Sequence, residues 1–313
     1  MKKFFWLIIC GVVIILALGL VIWRIQENPK QETFIPEQVK LSAVDSRGKE
    51  VTLTQKPQRI ISLAPSNTEI LFALGLDQEI VGITDYCNYP PEKVAQKEKV
   101  GGFATPNLEK IISLNPDLVF AASGVQMQMV ERLEGLGVKV YVSEAKTVED
   151  LLTEIKNFGI LTGKPQTAQD LITSLEQRIK IIQEKASNLS DSQKPKVFLE
   201  IWNDPLWTAP KDTLIYQVIE LAGGKNAVSI EGDWNQVNTV DPESVINANP
   251  DVIFLAFEGS DPAAVYKLAG WQAVSAVKNK KVFTIDPDII SRPSPRIIDA
   301  LEQIAKILHP DLF

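Results

Sequence analysis

Between residues 165 and 189, apolar residues recur at Ala168, Leu171, Ile172, Leu175, Ile179, Ile182, Ala186 and Leu189. That spacing draws one continuous stripe along a helix, with Gln, Glu, Lys and Arg on the opposite side. Gly163 and Pro165 mark its start; Asn188, Ser190, Asp191, Ser192 and Pro195 mark its end. At about 1.5 Å per residue the helix would run roughly 37 Å, the width of a small domain. Flanked on both sides by alternating strands and helices, it predicts a strut joining two lobes rather than a crossover within one sheet.

The stretches on either side support two cores. Of 313 residues, 45% are apolar and 23% charged, the balance of a globular chain long enough for two domains. Before the strut, residues 39–44 and 50–53 read as a β-hairpin, and 59–64, 80–83, 118–122 and 138–142 as strands. Helices are expected at 70–74, 108–114, 125–136 and 149–161. Ser66-Asn67-Thr68-Glu69 reads as a capping box for the first of these, with Gly75 as its stop. After the strut, 196–202, 252–256 and 282–285 read as strands and 214–222 and 242–248 as helices. A last helix is expected from Ser294 as cap, with Pro295 at its first position. Such alternation means mostly parallel sheets covered on both faces, an α/β fold.

Lys2 and Lys3 precede residues 4–23, an uncharged run closed by Arg24. Its length suits a bilayer core of about 30 Å, and the lysines favour an exported remainder. An uncleaved anchor, a cleaved signal peptide ending near Ala17-Leu18-Gly19, and lipidation at Cys10 are the alternatives. The resulting boundaries are 1–24 for the anchor or signal, 25–56 for a linker and hairpin, 57–162 for the first lobe, 163–192 for the bridging helix and 193–313 for the second lobe. Cys87 is alone in the remainder, so no internal disulfide is available there. The net charge of −7 and the absence of a basic stripe argue against nucleic acid as a partner.

The two lobes share a motif. Residues 107–120 read Asn-Leu-Glu-Lys-Ile-Ile-Ser-Leu-Asn-Pro-Asp-Leu-Val-Phe, and residues 241–254 read Asp-Pro-Glu-Ser-Val-Ile-Asn-Ala-Asn-Pro-Asp-Val-Ile-Phe. Cap, glutamate, apolar helix face, Asn-Pro-Asp turn and apolar strand recur at one constant offset. Glu109 and Glu243 therefore occupy equivalent places. A glutamate in a first helical turn complements the helix dipole, worth about 0.3–1 kcal/mol, which alone can explain either one. A symmetric pair of surface carboxylates is also suited to a symmetric partner carrying cations.

Catalytic patterns are missing. The single histidine, His309, reads as a helix-end residue, and there is no P-loop, GxSxG, strand-borne GxGxxG or Cys/His metal spacing. No enzyme activity, cofactor or metal site is expected. What stands out is aromatic residues among turn residues: Tyr86, Tyr89, Phe103, Trp202, Trp207 and Trp234. Some will wedge loops against a core; together they suggest a cleft for a flat, largely apolar ligand.

Residues 59–69, 85–91 and 107–117, with Trp234-Asn235-Gln236-Val237 and Ser294-Pro295-Arg296-Ile297, resemble the helical-backbone substrate-binding proteins of ABC importers. Within that group the chain is most similar to the cobalamin-binding proteins, on Tyr86 with Tyr89-Pro90-Pro91 and on Trp234 in Trp-x-Gln-Val. The resemblance implies two Rossmann-like lobes bridged by a single long helix, with the ligand cleft between them and limited hinge motion. It implies a corrinoid ligand met by Tyr86, Phe103, Trp202, Trp234, Asp288 and Arg292. Phe103 and Ala122 stand where those relatives carry tryptophan, so a roomier pocket is expected. Glu109 and Glu243 match glutamates that dock on permease arginines. The expected protein is a monomer, tethered to the outer face of the cytoplasmic membrane by its N-terminal segment, that serves an ABC permease and ATPase. The same fold binding haem or an iron–siderophore complex is the nearest alternative, and an enzyme or metallochaperone on a two-lobed fold a more distant one.

Overall fold

Branched apolar runs set between turn residues become two parallel sheets in the computed structural model, which describes residues 40–232, 234 and 239–313. The expected N-terminal anchor and most of its linker lie outside the described residues, as do Asn235, Gln236 and Val237. Among the described residues no helix is long and apolar enough to cross a membrane. Residues from Val39 to the C-terminus form one compact unit.

The described chain opens with an antiparallel hairpin, β1 (Leu41–Val44) and β2 (Glu50–Leu53). The first lobe follows with β3 (Ile60–Ser62), β4 (Ile80–Ile83), β5 (Glu98–Lys99), β6 (Leu118–Ala122) and β7 (Val140–Ser143). They order as β5-β4-β3-β6-β7 with every pair parallel. The second lobe contains β8 (Lys196–Glu200), the short hairpin of β9 (Trp202–Asn203) and β10 (Leu206–Trp207), then β11 (Lys225–Asn226), β12 (Val252–Leu255) and β13 (Val282–Thr284). Its parallel sheet orders as β11-β8-β12-β13. The central strands are buried on both faces, which explains their unbroken apolar runs.

The strut forms as the periodicity requires. The helix Pro165–Ser187 has 23 residues and buries Ala168, Ile172, Leu175, Ile179, Ile182 and Ala186. It spans about 34 Å, with Leu189 just past its end. It packs against the helix Val148–Leu161 of the first lobe and the helix Ile297–Leu308 of the second. On its outer side Arg178 pairs with Asp299 (2.6 Å) and Glu302 (2.8 Å) of that last helix.

The repeated motif is a joint between a helix end and a strand start. Asn107 and Asp241 cap their helices by accepting from the backbone N–H of Lys110 and Glu243. Asn115 and Asn249 both adopt the left-handed conformation (φ 44° and 48°) that closes a helix, which asparagine tolerates. Two residues on, the Asp117 carboxylate accepts from the N–H groups of Gln58 and Arg59, and the Asp251 carboxylate from that of Lys196. The cation at each strand start then reaches back to the helix: Arg59 Nε donates to Leu114 O (2.7 Å) and Lys196 Nζ to Ala248 O (3.2 Å).

Two expected caps do not form. The first helix begins at Pro65, whose fixed φ suits a first helical position, so Ser66 to Glu69 lie inside it and no side chain caps it. Their polar groups make tertiary bonds instead: Asn67 Nδ2 donates to Ala121 O, and Thr68 Oγ1 to Ser62 Oγ. Ser294 likewise does not cap the last helix, which starts at Ile297; its hydroxyl donates to Glu69.

At the end of β8, Glu200 is 4% exposed and its Oε2 has no hydrogen-bond partner among the described residues. Burial pushes its carboxyl up from 4.5 to about 7. The folded state therefore holds this proton more tightly than the unfolded chain does. Its contribution to stability is complete below the ordinary carboxylate range and is lost as pH rises through 7. Glu200→Gln should leave stability near pH 5 little changed and raise it at pH 8 by up to about 3 kcal/mol, read by urea unfolding at both pH values. A Gln variant no more stable than the parent at pH 8 would show the carboxylate to be solvated.

Candidate functional site

Between the lobes, at the carboxyl ends of the strands, lies a cleft of about 690 Å³. From the first lobe its wall takes the start of the Pro65 helix, Tyr86, Phe103, the turn after β6 at Ala122–Gly124 and the stretch after β7 from Ser143 to Lys146. From the second it takes Asp212 to Ile215, Trp234 and the segment Ile290 to Pro293.

Each wall segment is held by local chemistry. Phe103 rides on a loop closed by the bridge between Gly101 and Pro106. Gly101 has φ +99°, and a Cβ there would meet Thr105 O and Asn107 N at 3.1 Å, so the turn needs glycine. Beneath it the buried amide of Gln126 donates to Phe103 O (2.8 Å) and Leu63 O (2.6 Å) and accepts from Ala122 N (2.8 Å). One side chain thus fixes three wall segments. In the second lobe Thr213 caps the helix Leu214–Leu221, and Asp212 N donates to Gly232 O beside Trp234. Tyr86 and Trp234 are 64% and 47% exposed, so both stand at the mouth.

The wall's two cations, Arg292 and Lys146, are already paired. Arg292 Nη1 donates to Glu69 Oε1 (2.9 Å) and Asn88 Oδ1 (2.7 Å); Nη2 reaches Asp288 Oδ1 (2.7 Å) and Tyr86 O (3.3 Å). Glu69, buried in the first lobe, also meets Arg296 Nη1 (3.2 Å) and accepts from Ser294 Oγ (2.6 Å). Arg296 stacks over the Tyr89 ring at 3.9 Å. This cluster ties the first lobe to the second. Lys146 lies 3.8 Å from Glu144. Deeper in the wall, Glu154 accepts from Tyr141 Oη (2.7 Å) and Glu144 N (3.1 Å), and burial raises its carboxyl to about 7.

Of the residues expected at the ligand, Tyr86, Phe103, Trp234 and Arg292 lie on the wall, and so does Ala122. Trp202 and Asp288 do not. Trp202 belongs to the β9–β10 hairpin, where its Nε1 donates to Asp204 O and its ring meets Phe257 edge-on at 6.2 Å. Asp288 is turned to Arg292 and Asn88 rather than to the cleft space. Glu109 and Glu243 are exposed in the first turns of their helices.

Glu69, Asn88, Arg296 and Gln126 were not expected. For Glu69 a signal existed: an acid inside a helix apolar on most sides must be buried, and a buried carboxylate needs partners. Among the described residues no group of three or more His, Cys, Asp or Glu could hold a metal ion. Cys87 is buried with its sulfur 3.1 Å from Thr68 Oγ1, and His309 Nε2 lies 3.1 Å from Gly223 O.

Two lobes on one long helix with a cleft at their strand ends are the architecture of a two-lobed binding protein. Residues 60–289 match the periplasmic binding protein family, and the chain belongs to it. It is 36% identical over 274 residues to an uncharacterized ABC transporter substrate-binding lipoprotein, YvrC, of Bacillus subtilis, covering 86% of this chain and 85% of that one. The crystal structure of the periplasmic vitamin B12 binding protein BtuF of Vibrio cholerae aligns with a TM-score of 0.69 at 30% identity, over 81% of this chain and 97% of that one. The periplasmic heme-binding protein RhuT from Roseiflexus aligns with a TM-score of 0.71 at 26% identity, over 82% and 99%. The chain is thus an extracytoplasmic substrate-binding protein of an ABC transporter. Its partners are a permease and ATPase and a small-molecule ligand that it carries rather than keeps as a cofactor.

Proposed function

We propose that the chain captures a corrinoid, cobalamin or a close relative, and delivers it to an ABC permease. The observation that carries this reading is the cleft wall, in which Tyr86, Phe103 and Trp234 offer aromatic surface while Lys146 and Arg292 are both ion-paired. A corrin presents apolar faces to such rings and a rim of neutral amides to backbone groups. The vitamin B12-binding relative supports the same ligand class. In this reading Tyr86, Phe103, Trp234 and Arg292 touch the ligand and Ala122 leaves room for it. Asp288 acts through Arg292, and Trp202 stiffens the hairpin beside the cleft. Glu109 and Glu243 dock on permease cations, and the apolar N-terminal segment holds the protein at the outer face of the cytoplasmic membrane.

Calorimetric titration of the purified protein with cyanocobalamin and cobinamide tests this. Stoichiometric binding of both is expected, the grip being on the ring rather than the nucleotide tail; binding of neither by folded protein overturns the reading. A haem ligand is favoured by one observation, the exposed phenol of Tyr86 in the wall. A Soret shift with haemin that Tyr86→Phe abolishes would put haem in place of the corrinoid.

A further inference from the structure

We infer that Glu69 sets the ligand's charge: by holding Arg292 and Arg296 in a buried cluster it makes the cleft select rims of neutral amides and reject rims of carboxylates. This rests on the corrinoid reading for the ligand's shape but not for its logic. Arg292 is the guanidinium on the wall, and both of its terminal nitrogens carry two acceptors, Glu69 and Asn88 on Nη1 and Asp288 and the Tyr86 carbonyl on Nη2. Its side chain is 12% exposed and that of Glu69 3%, so their attraction is little screened by solvent. The Glu69 carboxylate in turn takes three donors, Arg292 and Arg296 on Oε1 and Ser294 on Oε2. Three acids, Glu69, Asp286 and Asp288, face the two guanidiniums. A carboxylate on a ligand rim would therefore meet no spare positive charge there, and recruiting Arg292 would leave Glu69 buried with one partner fewer. An amide asks for no such exchange. The cluster discriminates by making the wrong rim costly.

The test compares acid and amide forms on two ring systems. The probes are dicyanocobyrinic acid against its fully amidated counterpart, and mesohaem against its diamide. Each is titrated into the wild-type protein, Glu69→Gln, and Asp288→Asn, the last changing a partly exposed acid that leaves the buried cluster standing. The wild type should prefer the amide form of whichever ring it binds by about tenfold or more, a margin typical of one uncompensated charge. Glu69→Gln should shrink that preference by about tenfold through tighter binding of the acid form, and Asp288→Asn should move it the same way by less. A wild type that prefers the acid form, or a preference unmoved in both variants, overturns the inference. Binding of mesohaem diamide over mesohaem without corrinoid binding would remove the corrinoid reading and leave the role of Glu69 standing. Binding of none of the probes would overturn both.

Discussion

Exchanging Glu109 and Glu243 together for arginine is expected to abolish ligand uptake while leaving ligand titration unchanged. Both glutamates are exposed in the first turn of equivalent short helices, and neither makes an ion pair among the described residues. Their local contribution is the dipole interaction, about 0.3–1 kcal/mol each, so the double variant should melt within a few degrees of the wild type. At a docked interface the balance is different. A carboxylate facing a cation and replaced by arginine loses the pair and gains a repulsion, about 2–5 kcal/mol per site when the contact is desolvated. Two such sites lower docking affinity by several orders of magnitude. Uptake of labelled ligand, measured beside calorimetric binding by the same preparations, separates the effects; transport at the wild-type rate would remove both residues from the docking surface.

The second large effect concerns the bridging helix. Gly159, in the helix that packs on it, has no room for a side chain: a Cβ there would lie 2.4 Å from Ala168 Cβ and 3.1 Å from Lys164 O. Both opposing atoms are rigidly placed, so Gly159→Ala must push the two helices apart. The helix-propensity gain of about 1 kcal/mol is overwhelmed by the overlap, and a net loss of about 2–3 kcal/mol is expected in chemical unfolding. Two companions make this specific. Gly135→Ala, where a Cβ meets nothing within 4 Å, should be neutral or stabilising by about 0.5–1 kcal/mol. Adding Ala168→Gly to Gly159→Ala should recover most of the loss, because the methyl group then changes sides. If Gly159→Ala proves as stable as the wild type, the close crossing of these helices is wrong.

The features legible in the sequence were those written in local chemistry. The stripe from Ala168 to Ala186 dictated the strut, and the two Asn-Pro-Asp turns dictated matching helix-to-strand joints. Each asparagine answers a left-handed φ, and each aspartate caps the strand start next to it in space. The aromatic residues of the cleft were visible because they stand among turn residues, outside any periodic core run. What lay hidden was the ion cluster between the lobes. Glu69 and Arg292 are 223 residues apart, and no short window links them. The Ser-x-x-Glu pattern at 66–69 also offered a sufficient local explanation, which Pro65 overrode by starting the helix a turn earlier. Trp202 misled for a related reason. A tryptophan at a strand end beside Asn203-Asp204-Pro205 can face a cleft or fold back on its own hairpin, and the choice is made by Phe257, far along the chain.

Among the described residues the lobes meet along the bridging helix, through the Glu69 cluster, and at the side chain of Gln217, whose Oε1 accepts from Val148 N at 2.8 Å. A body pinned at several points loses the rotation that a single pivot would leave it. Opening and shutting like a clam would have to break the Glu69 cluster and the Gln217 contact. The rings of Tyr86 and Trp234, exposed at the rim, are the parts of the mouth with room to turn without breaking them. A receptor that keeps these contacts through a transport cycle would present nearly the same outline full or empty, and its permease would have to read what fills the gap rather than the posture of the lobes.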